Sequence, residues 1–256
     1  MTEGIAARAA LGLTLFLALP ASADPGPACR DLTFDGTPYT VCETRFSQDE
    51  LRIWQDGPDG ALIGTFGRLS ALLAQTGKHV GFAMNAGMYA PDRRPLGLAI
   101  IDGRQIAPIV TREGPGNFGL LPNGVFCIGP EGYSITESRA FAAQPPACRY
   151  ATQSGPMLVI HGKLHPHFLP GSPSVHIRNG VGVSADGRRA VFAISDAPVN
   201  FDAFARLFRD ALHLPEALYL DGSISRLDAP GIGRADGGLP MGPIIGTAVD
   251  GAGPSQ

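Results

Sequence analysis

One pattern constrains this chain more than any other: three strand-like apolar segments each lead into a polar corner that contains glycine. Residues 217–221 read ALYLD before a glycine, residues 80–85 read VGFAMN, and residues 150–155 read YATQSG before a further apolar run. Loops held by rigid strands are the usual support for functional side chains. The pattern therefore predicts one polar pocket built on a β-sheet scaffold.

Two segments have helical periodicity. Apolar residues recur on one face in residues 66–75 and again in residues 201–212, where Asn200 is placed as an N-cap. The second helix stands between the apolar runs 190–194 and 217–220. Strand, helix and strand in this order predict a right-handed crossover that joins parallel strands.

Short strands and tight turns account for most of the remaining chain. Residues 32–44 suggest an opening hairpin, and the dipeptides Asp102–Gly103 and His161–Gly162 favour two-residue hairpin turns. The 34 glycines and 23 prolines suit a domain with many turns. We therefore predict an α+β fold, in which a mixed β-sheet is flanked by helices within a single domain of residues 24–256.

Five motifs taken together resemble the phosphodiester glycosidase family, which includes the lysosomal uncovering enzyme, N-acetylglucosamine-1-phosphodiester alpha-N-acetylglucosaminidase, and many exported bacterial proteins. The motifs are NAGMY at 85–89, PNGVF at 122–126, QSGPML at 153–158, IRNGVG at 177–182 and LDGSIS at 220–225. The likeness extends from about residue 44 to about residue 248. Family members often carry Asn-Gly-Gly and Asp-Gly-Gly-Gly-Ser, where this chain has Asn-Ala-Gly and the shorter Asp-Gly-Ser.

The resemblance implies a hydrolase that cleaves the bond between the anomeric carbon of a sugar and a phosphodiester oxygen, in a glycan or cell-envelope substrate. The transition state of such a reaction resembles an oxocarbenium ion. A phosphate leaving group is already a stable anion, so a cation and hydrogen-bond donors can stabilise its departure. One carboxylate and one arginine are therefore sufficient for the chemistry.

We assign the carboxylate to Asp221, as nucleophile or as base toward water. We assign the phosphate clamp to Arg178, because a guanidinium can bind two oxygen atoms at once. Asn85 would orient a sugar hydroxyl or the attacking water through its amide. Each assignment has a structural alternative, since Asp221 and Asn85 suit turns and Arg178 could lie on the surface or pair with Asp196.

The same motifs imply a set of substrate-binding residues at the corners. Hydroxyl groups and backbone N–H groups in these turns could donate to phosphate oxygens, and Asp196 is a reserve carboxylate. The set is Gly87, Met88, Ser154, Gly155, Asn179, Asp196, Gly222, Ser223 and Ser225.

The four cysteines, Cys29, Cys42, Cys127 and Cys148, lack the Cys-x-x-Cys spacing that is typical of zinc sites. An even number of cysteines in an exported protein indicates disulfide bonds. Three pairings are possible. We favour Cys29–Cys42 and Cys127–Cys148 because each closes a short local loop.

Residues 1–23 have the pattern of a signal peptide. Arg8 precedes ten apolar residues, and small residues before Asp24 fit a cleavage site. A run of ten is too short to span a bilayer, which takes about 20 residues. We therefore expect a periplasmic or secreted protein with no membrane span after cleavage. The net charge of -3, with mixed signs, gives no support for a nucleic-acid partner.

Four histidines, His161, His165, His167 and His176, invite a metal-site interpretation. Gly162 and Pro166 oppose the helix that would align them, so we expect exposed loop histidines and neither a metal nor another cofactor.

The sequence has two alternative interpretations besides hydrolysis of a phosphodiester. A serine hydrolase is disfavoured because residues 222–225 lack the closing glycine of a nucleophile elbow. The main alternative is a non-catalytic periplasmic protein that binds glycan or peptidoglycan, which would need Asn85 and Arg178 but tolerate the loss of Asp221.

Overall fold

The computed structural model describes Met1, residues 29–221 and residues 224–251. The predicted signal peptide beyond Met1 lies outside the described residues. The same holds for Gly222 and Ser223 of the last motif. Within the described ranges the chain forms seventeen strands in three sheets, numbered β1–β17 along the chain. Every pairing between these strands is antiparallel.

The largest sheet has seven strands and carries two of the predicted site residues. In spatial order its strands are β1 (Cys29–Phe34), β2 (Thr37–Arg45), β13 (Arg189–Ser195), β12 (Asn179–Val183), β14 (Glu216–Asp221), β10 (Met157–Ile160) and β11 (Lys163–Leu164). β13 and β14 run in the same direction, as predicted, but β12 lies between them and is antiparallel to both. Asn179 of β12 and Asp221 of β14 are register partners at one end of these two neighbouring strands.

The two smaller sheets have five strands each. The second sheet contains, in spatial order, β16 (Arg234–Ala235), β15 (Leu227–Ala229), β4 (Lys78–Asn85), β17 (Ile244–Asp250) and β3 (Leu51–Trp54). The third contains β6 (Arg104–Ala107), β5 (Ala99–Ile101), β9 (Tyr150–Ser154), β7 (Gly124–Ile128) and β8 (Tyr133–Glu137). The predicted two-residue turns at Asp102–Gly103 and His161–Gly162 are confirmed, with positive φ at all four residues.

The main hydrophobic core lies where all three sheets meet. Phe82 of the second sheet, Phe126 of the third and Phe192 of the first are completely buried. The ring centroid of Phe192 is 5.2 Å from that of Phe82 and 5.9 Å from that of Phe126. Burial of each ring contributes about 2 kcal/mol through the apolar area removed from water. This shared core fixes the three sheets relative to one another, and with them the strand ends that carry the predicted corners.

Helices cover the outer faces of the sheets. They are α1 (Phe66–Ala74), α2 (Gly116–Gly119), α3 (Ser138–Ala143) and α4 (Phe201–Arg206). α1 follows the N-cap Thr65, and its buried Phe66, Leu69 and Leu73 pack on the second sheet, so the helix predicted for residues 66–75 is confirmed. None of the described helices is long and apolar enough to cross a membrane.

The helix predicted over residues 201–212 is confirmed in its extent, but its second half is a π-helix and not an α-helix. Asn200 caps α4 as expected, because its Oδ1 accepts a hydrogen bond of 2.9 Å from the Ala203 N–H. The chain then widens into a π-helix, Leu207–Ala211. This wider turn accompanies close packing on Gly182 of β12, where an added Cβ would lie 2.8 Å from the Phe208 ring. The α+β class is confirmed.

Both predicted disulfide bonds, Cys29–Cys42 and Cys127–Cys148, are confirmed. Cys29 and Cys42 are register partners across the β1–β2 hairpin. The second bond ties β7 to the segment that leads into β9.

Replacing Cys127 and Cys148 together by serine is expected to lower the free energy of unfolding by about 3 kcal/mol. The bond joins residues 21 apart and restricts the unfolded chain. Urea unfolding of the double variant, beside wild type under non-reducing conditions, measures the loss. An unfolding free energy within about 0.5 kcal/mol of wild type would contradict the stabilising role.

Candidate active site

The predicted corners come together, and Asn179 is the residue that joins them. Its Oδ1 accepts hydrogen bonds from the Asn85 side chain at 3.2 Å and from the Asp221 backbone N–H at 3.0 Å. Its Nδ2 donates to the Asn85 carbonyl oxygen at 3.0 Å. Asn85 and Asn179 are both completely buried. One side chain therefore links the ends of three strands, β4, β12 and β14.

The segment after β14 returns to the same cluster. Ser225 Oγ donates to the Asp221 carbonyl oxygen at 2.6 Å, and the Arg226 N–H donates to Asn85 Oδ1 at 2.9 Å. Both amide ends of Asn85 are thus used within the protein. Asn85 is completely buried, and its amide fixes the corner through these bonds to Asn179 and Arg226.

The corner after β9 approaches from the third sheet. Ser154 is completely buried, and its Oγ donates to the Leu220 carbonyl oxygen at 2.8 Å. A Cβ added at Gly155 would lie 2.5 Å from the Asn123 Cβ, and one at Gly87 would lie 2.4 Å from the Gln153 carbonyl oxygen. Only glycine fits at these two positions without movement, so they allow the corners to pack closely.

Met88 lies just beyond that contact. It is partly buried against the apolar cluster on the outer face of the large sheet, and its carbonyl oxygen accepts a hydrogen bond of 3.0 Å from the Leu96 N–H. Its side chain thus contributes an apolar wall beside the polar corners.

The Asp221 carboxylate lies in a mostly enclosed position, with 8% of the residue exposed. Two tyrosines lie near it, Tyr89 and Tyr219. Burial raises the pKa of each phenol, and the negative charge of Asp221 raises both further. The Tyr89 hydroxyl is buried beside Gly242 and makes no hydrogen bond of normal geometry with the described residues.

These two tyrosines are site residues that the sequence analysis did not single out. Tyr89 closes the NAGMY motif, and Tyr219 stands two residues before Asp221. The signal in the sequence is that Tyr89 lies within a family motif and Tyr219 within the strand segment 217–221. What the motifs do not show is that β14 and the segment after β4 bring both phenols close to the same carboxylate.

Arg178 lies on the other face of the large sheet from Asn179 and is completely buried. Its Nε donates to the Val199 carbonyl oxygen at 2.8 Å, its Nη1 to Tyr219 Oη at 3.1 Å, and its Nη2 to the Ser174 carbonyl oxygen at 3.0 Å. The guanidinium carbon lies 3.7 Å from the ring centroid of Phe201. Arg178 reaches the carboxylate's surroundings through the Tyr219 hydroxyl.

Among the described residues, no Asp or Glu forms an ion pair with the buried Arg178. Burial lowers the pKa of the guanidinium, because removal from water disfavours its charged form. Since the guanidinium is enclosed and donates to protein oxygen atoms, it can act on an anion in the site through its electric field and not by direct contact.

Asp196 takes part in a different cluster. Its carboxylate pairs with Arg234 and accepts a hydrogen bond of 3.2 Å from Thr40 Oγ1. The ion pair with Arg178 that the sequence left open is therefore not formed; Asp196 binds another arginine.

The expectation of exposed loop histidines is wrong for His165, which is 2% exposed. Its ring stacks on Phe168 with centroids 4.7 Å apart. One ring nitrogen lies 3.2 Å from the Leu121 carbonyl oxygen, and the other lies 3.2 Å from the His167 N–H. Because Phe168 stacks in turn on Phe201, this ring supports the wall that packs against Arg178.

Stability is expected to fall by about 2 to 3 kcal/mol through His165 as the pH drops from 7 to 4. Burial, with the charge of His167, lowers the pKa of His165 to about 4. The unfolded chain binds a proton near pH 6.5, so this contribution is complete above that pH and is lost as the pH falls toward 4. Urea unfolding of wild type and His165→Gln across this range measures the difference. Equal pH dependence in the two proteins would contradict the assignment.

No group of three or more His, Cys, Asp or Glu side chains within residues 29–221 and 224–251 is placed to hold a metal ion.

Comparisons with known proteins identify the family of this chain. Residues 78–227 match the family model for phosphodiester glycosidases. YigE of Escherichia coli (strain K12), an uncharacterized protein, is 35% identical over 217 residues, which cover 85% of this chain and 83% of YigE.

Two solved structures share the fold. The catalytic domain of zebrafish N-acetylglucosamine-1-phosphodiester alpha-N-acetylglucosaminidase, auto-inhibited by its pro-peptide, matches with a TM-score of 0.59 at 15% identity, covering 91% of this chain and 86% of that domain. A Burkholderia pseudomallei K96243 protein assigned as exported matches with a TM-score of 0.56 at 11% identity, covering 82% and 74% of the two chains.

Proposed function

The chain belongs to the phosphodiester glycosidase family, and from this membership we propose that it hydrolyses the bond between the anomeric carbon of a sugar and a phosphate oxygen in a glycosyl phosphodiester. One observation carries the proposal. An enclosed carboxylate, Asp221, lies in a cluster of fixed amides, and the Tyr219 hydroxyl beside it is bound by a buried arginine that pairs with no carboxylate of the described residues.

In this proposal Asp221 acts on the anomeric carbon, as nucleophile or as base toward water. The Asn179 side chain holds the Asp221 backbone. The carboxylate is therefore already in position, and no free energy is spent on reorganising it during the reaction. Asn85 and Ser154 fix the adjoining corners, and Ser225 holds the chain that follows. Gly222 and Ser223, outside the described residues, stay predicted phosphate contacts.

Arg178 stabilises the departing phosphate. The guanidinium and the Tyr219 side chain are both completely enclosed, so neither touches the substrate directly. The positive charge of Arg178, which lies next to the Tyr219 hydroxyl, stabilises the negative charge of the departing phosphate through its electric field in a low-dielectric surrounding. This replaces a direct clamp by electrostatic stabilisation from a buried cation.

Asp196 has a structural part in the proposal. Its carboxylate forms an ion pair with Arg234 and accepts a hydrogen bond from Thr40. The proposal therefore keeps Asp221 as the reacting carboxylate.

We place the protein in the periplasm or outside the cell, where glycan and cell-envelope phosphodiesters would be its substrates. Two disulfide bonds support an oxidising compartment. The signal peptide of residues 1–23 stays a prediction.

The test is release of sugar from UDP-N-acetylglucosamine and a panel of glycosyl phosphodiesters by the mature protein, with and without chelator. The proposal expects at least one member to be cleaved, with loss of cleavage in Asp221→Asn. Tight binding of a sugar phosphate with no turnover of any member would instead favour the non-catalytic binding protein.

A further inference from the structure

A cavity of about 630 Å³ opens at the ends of β7 and β9 that lie away from the candidate active site. On β7 and β9, Gly124 pairs with Ser154 at the active-site end, whereas Ile128 pairs with Tyr150 at the cavity. Four residues of strand correspond to about 13 Å. The cavity is therefore separate from the active site and has the volume of a small-molecule binding site.

Aromatic rings form one part of its lining: Phe46, Tyr133 and Tyr150. The rings of Phe46 and Tyr133 meet edge to face, with centroids 5.6 Å apart. Tyrosine presents an apolar ring together with a polar hydroxyl, which suits ligands that have both C–H and O–H surfaces.

Paired charges form the polar part of the lining. Arg149 Nε donates to Asp102 Oδ1 at 2.9 Å, and the Tyr150 hydroxyl lies 3.4 Å from the same oxygen. Arg52 pairs with Glu50. The site thus offers ion pairs that supply both donors and acceptors.

The cavity walls are fixed before any ligand arrives. The Gly103 N–H of the hairpin turn donates to the Arg149 carbonyl oxygen at 2.8 Å, and the Arg149 N–H donates to the Ile128 carbonyl oxygen at 2.8 Å. The disulfide of Cys148 holds the same segment to β7. A preformed wall reduces the ordering cost of binding.

We propose that this cavity binds an uncharged saccharide of one to three pyranose rings. Sugar hydroxyls both donate and accept, so they match the donors and acceptors of the ion pairs. The lining holds three carboxylates (Asp49, Glu50 and Asp102) and two arginines (Arg52 and Arg149). That balance disfavours polyphosphates, and the charged groups disfavour purely apolar ligands. The inference goes beyond the proposed hydrolysis and does not depend on it.

The test is a titration of the ¹⁵N-labelled mature protein with chitotriose and with maltotriose, followed by two-dimensional NMR. We expect saturable shifts of the Gly103, Gly129 and Cys148 amides with at least one sugar. Chemical-shift mapping separates this site from the active site, whose marker is the Ser154 amide.

Variants of the lining give the second part of the test. Arg149→Ala and Phe46→Ala are each expected to weaken binding about fivefold or more, through loss of a charged donor and of a ring face. Arg104→Ala is the matched control, because Arg104 is exposed on the same hairpin but does not line the cavity. Asp221→Asn should leave these shifts unchanged, whether or not the protein is a hydrolase.

Three outcomes would overturn the proposal. They are no saturable shift at the cavity amides up to about 10 mM of either sugar, shifts confined to the surroundings of Ser154, or wild-type affinity in both lining variants. Circular dichroism of each variant establishes that the comparison is between folded proteins.

Discussion

Replacing Asp221 by asparagine is expected to reduce kcat for glycosyl-phosphodiester hydrolysis by about 10³-fold or more. An amide can neither attack the anomeric carbon nor accept the proton of water. The variant should stay folded, because the backbone N–H that binds Asn179 is unchanged and the amide is close to the carboxylate in size. Steady-state release of sugar, with a thermal unfolding scan of the same sample, measures both quantities.

Asp196→Asn is the matched control for that experiment. Its carboxylate pairs with Arg234 and receives a hydrogen bond from Thr40, so we expect activity within about threefold of wild type. If Asp196→Asn lost activity while Asp221→Asn retained a tenth or more, the reacting carboxylate would be Asp196 and our assignment would be wrong.

Replacing Arg178 by methionine is expected to lower kcat/KM by about 10²-fold and the free energy of unfolding by about 2 to 4 kcal/mol. Methionine fills much of the same space, but it leaves Val199, Ser174 and Tyr219 without the donor that each now has. Loss of the cation also removes the positive charge next to the Tyr219 hydroxyl.

Two comparisons separate the catalytic effect from the structural one. Arg178→Lys keeps the charge but not the planar fork, so it should recover part of the stability and less of the activity. Arg68→Met removes a partly exposed arginine paired with Asp59 and should change neither quantity by more than a small amount. Inhibition by inorganic phosphate is the specific readout, and an inhibition constant in Arg178→Met equal to that of wild type would refute the role at the phosphate.

Local sequence patterns predicted a large part of this fold. The hairpin turn at Asp102–Gly103 follows from two residues that tolerate positive φ, and the disulfide pairs follow from short loops. The convergence of Asn85, Ser154 and Asp221 could be anticipated because each closes an apolar strand. Each of these predictions rests on a pattern formed by residues that are close together in the chain.

The rest depends on register and on contacts between distant segments. Arg178 directly precedes Asn179, and successive residues along extended chain point to opposite faces of a sheet. The two side chains therefore lie on opposite faces, one on the Phe201 ring and one on Asn85. No local pattern shows this, nor the insertion of β12 between β13 and β14 or the burial of His165.

The most direct test of the central claim is the site of bond cleavage. Hydrolysis of an N-acetylglucosaminyl phosphodiester in water enriched in ¹⁸O, with mass spectrometry of the phosphate monoester released, identifies the atom that water attacks. The account predicts a phosphate product without ¹⁸O, since water or Asp221 reacts at the anomeric carbon. A phosphate product that carries ¹⁸O would contradict it, because the phosphorus–oxygen bond would then be the one that breaks.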